Sequence, residues 1–376
     1  MENEQFDDLR PYYDVEINAA MHRIIANEFF PALSGYVFPG RDIEDVRRML
    51  RDIRTIDDFQ LQVMKAVNEQ VISRSIGSFT FEGLDSLDNS RRYLFVSNHR
   101  DIMLDATLLQ YALYQSGLRT SEITFGSNLM SSQLAIDIGK SNKMFKVIRG
   151  GNIKDFYTNS LRLSEYIRYT ITRKRESVWI AQRNGRTKDG IDATDQALVK
   201  MFYMSAQGDP VRALAELNIV PVSISYQWES CDLLKAMELY VSRTEKYVKQ
   251  PGEDLHSILT GIIQQKGDVH ISVGKLLTED VLASLSDLPG NKFNRQVAQW
   301  LDSEIIRNYR LTCNNYIAAD MLAGNDTYAD RYTADEKAAF VAHLTRLDTV
   351  SIPDKDELRE IFLGIYANPV ATKVKQ

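Results

Sequence analysis

Leu94-Phe95-Val96-Ser97-Asn98-His99-Arg100-Asp101-Ile102-Met103-Leu104-Asp105 is the stretch on which the fold turns. An apolar run of strand character ends in Asn-His, and acidic residues stand just before the helical pattern of residues 106–113. This arrangement sets His99 at the end of a rigid strand, with a carboxylate close enough to orient the imidazole. General-base activation of a hydroxyl can use that pairing. Two acids can supply the carboxylate, Asp101 and Asp105. The plainer readings are a helix N-cap for the acid and a structural role for the histidine.

Three later segments bear on the choice. Lys143-Met144-Phe145-Lys146-Val147-Ile148-Arg149 reads as a short strand ending in an arginine, whose planar fork suits phosphate oxygens. Val178-Trp179-Ile180-Ala181-Gln182-Arg183-Asn184-Gly185-Arg186-Thr187-Lys188-Asp189-Gly190 reads as a strand running into a glycine-bearing basic turn. Ile219-Val220-Pro221-Val222-Ser223-Ile224-Ser225-Tyr226 is an apolar strand with an internal proline, a residue otherwise found on edge strands. Upstream, Phe79-Thr80-Phe81-Glu82-Gly83-Leu84 is a further strand-and-glycine pattern.

In this order and spacing, over roughly residues 77–275, the segments resemble the blocks of the glycerolipid acyltransferases. That family acylates glycerol-3-phosphate and lysophosphatidic acid. Its first block is His-x-x-x-x-Asp, whereas the acids here stand at His+2 (Asp101) and His+6 (Asp105). Its third block is Phe-Pro-Glu-Gly-Thr-Arg-Ser; Gly185 and Arg186 keep the glycine and a nearby arginine, while Gln182 replaces the proline and Asn184 the glutamate. The resemblance implies His99 as base and Asp105 as its orienting partner, with Asp101 second, and Asn98 fixing the loop beside them. It further implies that Arg149, Asn184, Gly185, Arg186 and Lys188 hold the acceptor, the basic residues gripping its phosphate.

The expected mechanism is direct transfer from acyl-CoA or acyl carrier protein, with no nucleophilic Ser or Cys and no covalent acyl-enzyme. Backbone N–H groups near His99 or Gly185 would steady the developing oxyanion. Asn184 brings no charge, which keeps an amino-acid lysolipid open as the acceptor. A thioesterase and a non-catalytic acyl- or lipid-binding module are the other classes. Acceptor-dependent thiol release from acyl-CoA separates the three.

Composition fits a globular enzyme able to bury one large core or two modest ones in 376 residues. Two cysteines, Cys231 and Cys313, are too few for a disulfide framework and fit a reducing compartment. The N-terminus has no basic start or apolar core of a signal peptide. No apolar run approaches the ~20 residues of a spanning helix, so the expected location is cytoplasmic, with peripheral contact at the inner face of a membrane. The net charge is −6, yet residues 140–188 hold thirteen Lys or Arg against three acids. That excess of ten coincides with the second and third blocks and suits a phosphate-bearing acceptor or anionic lipid at ~1 kcal/mol per basic residue. Nucleic acid is a poor fit to an acidic chain without a reading helix or zinc motif. The histidines His22, His99, His256, His270 and His343 lack metal-ligand spacing, and neither a dinucleotide nor a nucleoside-triphosphate glycine loop is present. No metal and no bound cofactor are expected.

Three zones follow. Residues 1–76 read as helical, with a capping box at Thr55-Ile56-Asp57-Asp58 and a core stripe of Phe59, Val63, Val67 and Val71. Residues 77–285 alternate strands (79–81, 93–97, 123–126, 145–148, 178–180, 219–226 and 269–273) with helices such as 155–172, 195–204 and 233–248. This predicts an α/β sandwich on a largely parallel sheet, the acyltransferase core. Residues 286–376 return to helical periodicity, as in 293–311 and 334–345, and 367–376 are expected to fray.

Overall fold

The computed structural model describes residues 4–148, 150 and 152–375. Seven strands form one sheet: β1 (Ile76–Glu82), β2 (Leu94–Ser97), β3 (Ser121–Gly126), β4 (Met144–Val147), β5 (Ser177–Ala181), β6 (Ile219–Tyr226) and β7 (Gly267–Val273), in the order β1-β7-β6-β2-β5-β3-β4. Every pairing is parallel except β6 with β7. Strands β2, β3, β4 and β5 therefore end at the same edge as β6. The inner strands are apolar on both faces because helices cover both, as a parallel sheet requires; all eight residues of β6 are buried.

One face packs Leu94, Val96, Val178, Ile180 and Ile219 against Ile167, Val199, Leu214 and Val297 from four helices. The other packs Phe95, Ile123, Trp179, Val220 and Ile224 against Leu108, Leu109 and Ala112 of helix Leu104–Gln115. Alternation along each strand splits neighbours between the two cores, so Phe95 and Val96 point to opposite sides. A third cluster gathers the C-terminal helices around Phe340, Phe362 and Tyr366, and a fourth gathers the N-terminal helices around Ile17, Val46 and Phe59.

Thr55 forms its capping box with Asp58, and Phe59 and Val71 are buried. Between them, Gln60–Met64 is a π-turn that shifts the stripe's phase, leaving Val63 and Val67 half-buried. Pro221 lies on an inner strand rather than an edge. Its carbonyl faces the β7 side, where it accepts Gly274 N–H at 2.8 Å, and the β6–β7 ladder begins only at Val222. The proline's missing donor thus falls where no strand partner needs it. Helix Asp232–Ser242 stops short of the expected 248.

The expected fraying of residues 367–376 is wrong for their first half. Helix Lys355–Val374 runs through them, Pro369 and Val370 are buried, and Asn368 Nδ2 donates to Asp189 O at 2.8 Å. Among the described residues no helix is long and apolar enough to cross a membrane.

Candidate active site

Strands β2 and β5 lie side by side, yet their onward helices go to opposite faces. The chain leaving β2 enters helix Leu104–Gln115 on one core, and the chain leaving β5 reaches helix Gln196–Tyr203 on the other. The two loops must part at this point of the sheet edge, which opens a crevice there, the usual ligand position in open α/β sheets. His99 stands in that crevice, two residues beyond the end of β2. The loops are tied together below it by Gln182 N–H to Ser97 O and Thr187 N–H to His99 O, both 2.7 Å.

His99 Nδ1 lies 2.9 Å from Asp105 Oδ2. The same oxygen accepts the N–H groups of Arg100 at 2.6 Å and Asp101 at 2.9 Å, and Oδ1 accepts the Tyr226 hydroxyl at 2.7 Å. With the carboxylate as acceptor, Nδ1 carries the proton and Nε2 keeps a free lone pair. The Trp179 indole stands edge-on to the imidazole at 5.8 Å.

Asp101 does different work. Its Oδ1 accepts Met103 N–H and Leu104 N–H, each at 2.8 Å, and Oδ2 accepts the Ser230 hydroxyl. It therefore caps the Leu104 helix, the role that could equally have fallen to Asp105. Asn98 is fully buried and locks the loop to β6, donating to Ile224 O and accepting Ile224 N–H at 3.0 and 2.8 Å. Its amide also donates to Asp192 Oδ2 at 3.0 Å.

Beneath the dyad sits a buried charge network for which no block pattern is a guide. Arg100 pairs with Asp192 at 2.7 Å and Glu229 at 3.4 Å, and Lys235 bonds Glu229 at 2.5 Å and Arg100 O at 2.7 Å. Burial pulls the Arg100 pKa down, but the facing Asp192, Tyr309 and Glu229 outweigh it and hold the guanidinium charged. Two cations and two anions compensate one another, as buried charges must. Asp192 also accepts the Thr187 hydroxyl at 2.7 Å, so one carboxylate joins both loops of the crevice. The only trace in the sequence is an acid and a glycine after the third block.

Gly185 has φ +79° with open space around it, so it is needed for the turn and not for room. The turn sends its neighbours apart. Arg183 and Asn184 line a cavity of about 450 Å³ with Lys146, Arg162 and Lys200, an apolar wall behind them from Leu163, Ile180 and Met201. Arg149 lies outside the described residues; Ile148 and Gly150 on either side line this cavity. Arg186 turns the other way, close enough to Cys231 and Asp254 to shift both electrostatically, and its Nη1 is buried with no partner among the described residues. Lys188 is ion-paired with Glu238. Among the described residues no cluster of three His, Cys, Asp or Glu is placed to hold a metal.

Residues 78–225 match the Acyltransferase family. No curated protein matches the sequence. The structure of the 1-acyl-sn-glycerophosphate (LPA) acyltransferase PlsC from Thermotoga maritima is similar at 13% identity, over 78% of this chain and 97% of that one, with a TM-score of 0.34. The 54 kDa signal recognition particle protein of Aeropyrum pernix K1 in complex with GDP is similar at 10% identity, over 96% and 94%, with a TM-score of 0.20. Neither superposition is close enough to carry an argument. The matched segment begins in β1 and ends in β6, spanning the crevice, the His99–Asp105 pair and the Gly185 turn. Residues 78–225 are thus the part of this chain that is similar to the Acyltransferase family.

Proposed function

We propose that the enzyme moves a fatty acyl group from acyl-CoA or acyl carrier protein to a hydroxyl of a glycerol-phosphate-type lysolipid, 1-acyl-glycerol-3-phosphate in particular, in phospholipid synthesis. The observation that carries this is the 2.9 Å contact of His99 Nδ1 with a buried carboxylate inside the segment similar to the Acyltransferase family. His99 Nε2 takes the proton of the acceptor hydroxyl as its oxygen attacks the thioester carbonyl. Asp105 stabilises the imidazolium that forms. Collapse of the tetrahedral intermediate breaks the C–S bond, and the imidazolium proton goes to the leaving thiolate, so the base is regenerated.

The N–H groups of Arg100 and Asp101 are spent on Asp105, and that of Thr187 on His99 O. The backbone of the Gly185 turn is therefore the proposed source of oxyanion donors. Lys146, Arg183 and Lys200 give the 450 Å³ cavity a basic rim beside the crevice, and Arg149 falls in the sequence between Ile148 and Gly150. That cavity and the Arg186 guanidinium, whose Nη1 has no partner among the described residues, are the proposed hold on the acceptor's phosphate. Lys188 is left a lesser part because Glu238 already neutralises it. The basic segment would also bring the enzyme to the anionic inner face of a membrane.

Asn184 favours one alternative acceptor. It is exposed on the cavity wall and uncharged, which suits an amino-acid lysolipid better than a carboxylate there would. The test is thiol release from acyl-CoA with and without 1-acyl-glycerol-3-phosphate, with the product identified by mass. Release that depends on the acceptor is expected. Release without it would mean a thioesterase, and none with any donor a binding module.

A further inference from the structure

We propose that Tyr226 is a positioning residue of the catalytic dyad, fixing the Asp105 carboxylate through the one oxygen that no other described residue holds. This rests on His99 acting as the base, and extends it to a residue on a different strand.

The two oxygens of Asp105 are unequally served. Oδ2 receives His99 Nδ1 and two backbone N–H groups, all from residues 99–101. Among the described residues, Oδ1 receives only the Tyr226 hydroxyl, at 2.7 Å. A carboxylate held by one oxygen can still turn about its Cβ–Cγ bond, and turning would carry Oδ2 away from the imidazole. The phenol at the far oxygen stops that rotation.

Tyr226 is well suited to the task. It is the last residue of β6, 1% exposed, with backbone pairing to β7 at Val269 and its ring in the core behind the Leu104 helix. A ring so placed cannot follow a moving carboxylate, so the constraint runs from sheet to acid. Burial, then the facing charges of Asp105 and Asp101, push the phenol's pKa well above its ordinary value, which keeps the proton on the tyrosine. Glu229 faces it as well, compensated by Arg100 and Lys235, and Lys266 lies on the Asp101 side. The phenol is therefore held as a donor to Asp105.

A donor on Oδ1 also draws charge from the carboxylate that steadies the imidazolium. Its loss leaves the charge of Asp105 more fully available to His99, whose titration must then move to higher pH. A stronger donor must move it lower. A purely structural tyrosine would do neither.

The experiment is a ring-nitrogen NMR titration of protein labelled with [15N]histidine, the His99 signals being identified by their loss in His99→Gln. Tyr226→Phe is expected to raise the His99 midpoint, and 3-fluorotyrosine at position 226 to lower it. In acyl-CoA-dependent acylation of 1-acyl-glycerol-3-phosphate, Tyr226→Phe should lower kcat about tenfold with little change in KM, and shift the acid limb the same way. The fluorinated protein keeps the ring and its packing, so it gives a reading even if the phenylalanine variant folds poorly. An unchanged His99 midpoint in the fluorinated protein overturns the proposal. If the midpoints move as stated but His99→Gln still transfers acyl groups, the coupling stands and the general-base function falls.

Discussion

His99 and Asp105 are separated by six positions in the chain and joined by one hydrogen bond, and their variants should separate chemistry from folding. His99→Ala is expected to lower turnover by ~10²–10⁴, the usual worth of general-base catalysis, with thermal unfolding close to wild type. Asp105→Ala should fall nearly as far, since the two act as a unit. Asp101→Ala should do the reverse. It removes the cap on Met103 N–H and Leu104 N–H, so about 0.5–2 kcal/mol of stability is lost while kcat changes little. A kcat loss for Asp101→Ala as large as that for Asp105→Ala would reverse the assignment. The proposed phosphate of the acceptor is tested at Arg186, whose Nη1 has no partner among the described residues. Arg186→Ala should raise the acceptor's KM roughly ten- to a hundredfold, the worth of one charge-assisted contact at about 1.5–3 kcal/mol, and leave the donor's KM near wild type. Arg149→Ala should behave alike. An equal rise in both KM values would remove the phosphate site.

At the scale of elements, the loop after β5 is held by a helix far away in sequence. Asp302, on helix Gly290–Asn308, accepts the Thr194 N–H at 2.7 Å and the Thr194 hydroxyl at 2.6 Å. Burial, which outweighs those hydrogen bonds, pushes its carboxyl up to about 6. Between the ordinary carboxylate pKa and 6 the folded protein holds a proton that the unfolded chain releases. Asp302 therefore costs stability progressively as pH rises through that window. Asp302→Asn keeps an acceptor for Thr194 and loses the charge. Its stability should match wild type near pH 4 and exceed it above pH 6, by about 3 kcal/mol at most. Calorimetry at pH 4, 5, 6 and 8 reads this directly, and a gain independent of pH would contradict it.

Across the whole molecule, one buried carboxylate ties several of the C-terminal helices to the core. Asp232 bonds His343 at 2.6 Å, Arg346 at 3.1 Å and the Tyr366 hydroxyl at 2.7 Å. Burial raises its pKa, but the His343 hydrogen bond and the charges of His343 and Arg346 outweigh it, leaving it lowered. A lowered carboxyl contributes stability above its ordinary pKa and loses it as pH falls through the folded value. Acid should therefore release this layer at low pH, and Asp232→Asn should already be destabilised at neutral pH, with a flatter acid limb. The tail matters as well. Gly190, at φ +80°, lies so close that a Cβ would collide with Ile365 O, and its own carbonyl accepts Arg100 Nη2 at 3.2 Å. Deleting residues 367–376 should lower both melting temperature and turnover, because the loop that grips Arg100 leans on that helix. Unchanged activity and stability would show that the tail is dispensable.

The strands were legible because burial between two helical layers leaves no freedom of composition. Each of the seven apolar runs became a strand, and 219–226 did so to the residue. The place of His99 was legible for the same reason, since a histidine closing such a run has to stand at the sheet edge. Local hydrogen-bond chemistry likewise placed the cap at Thr55. Sequence left the choice between Asp101 and Asp105 open, because either spacing can return to a histidine at a loop; the chain's path into the Leu104 helix decided it, turning one acid onto backbone N–H groups and the other onto the imidazole. Nor could periodicity place Tyr226, Asp192, Glu229 or Lys235 under the dyad, since charges scattered from 100 to 235 carry no local pattern that says they will be buried together. The tail's packing was hidden likewise, its polar and apolar residues sorting onto a core built by helices elsewhere in the chain. Sequence alone determined the layers, the strand order's raw material and the chemistry offered at His99. Only tertiary structure decided which acid serves it, which tyrosine holds that acid, and which way each basic side chain of the Gly185 turn faces, because those depend on distances between segments that the chain brings together only on folding.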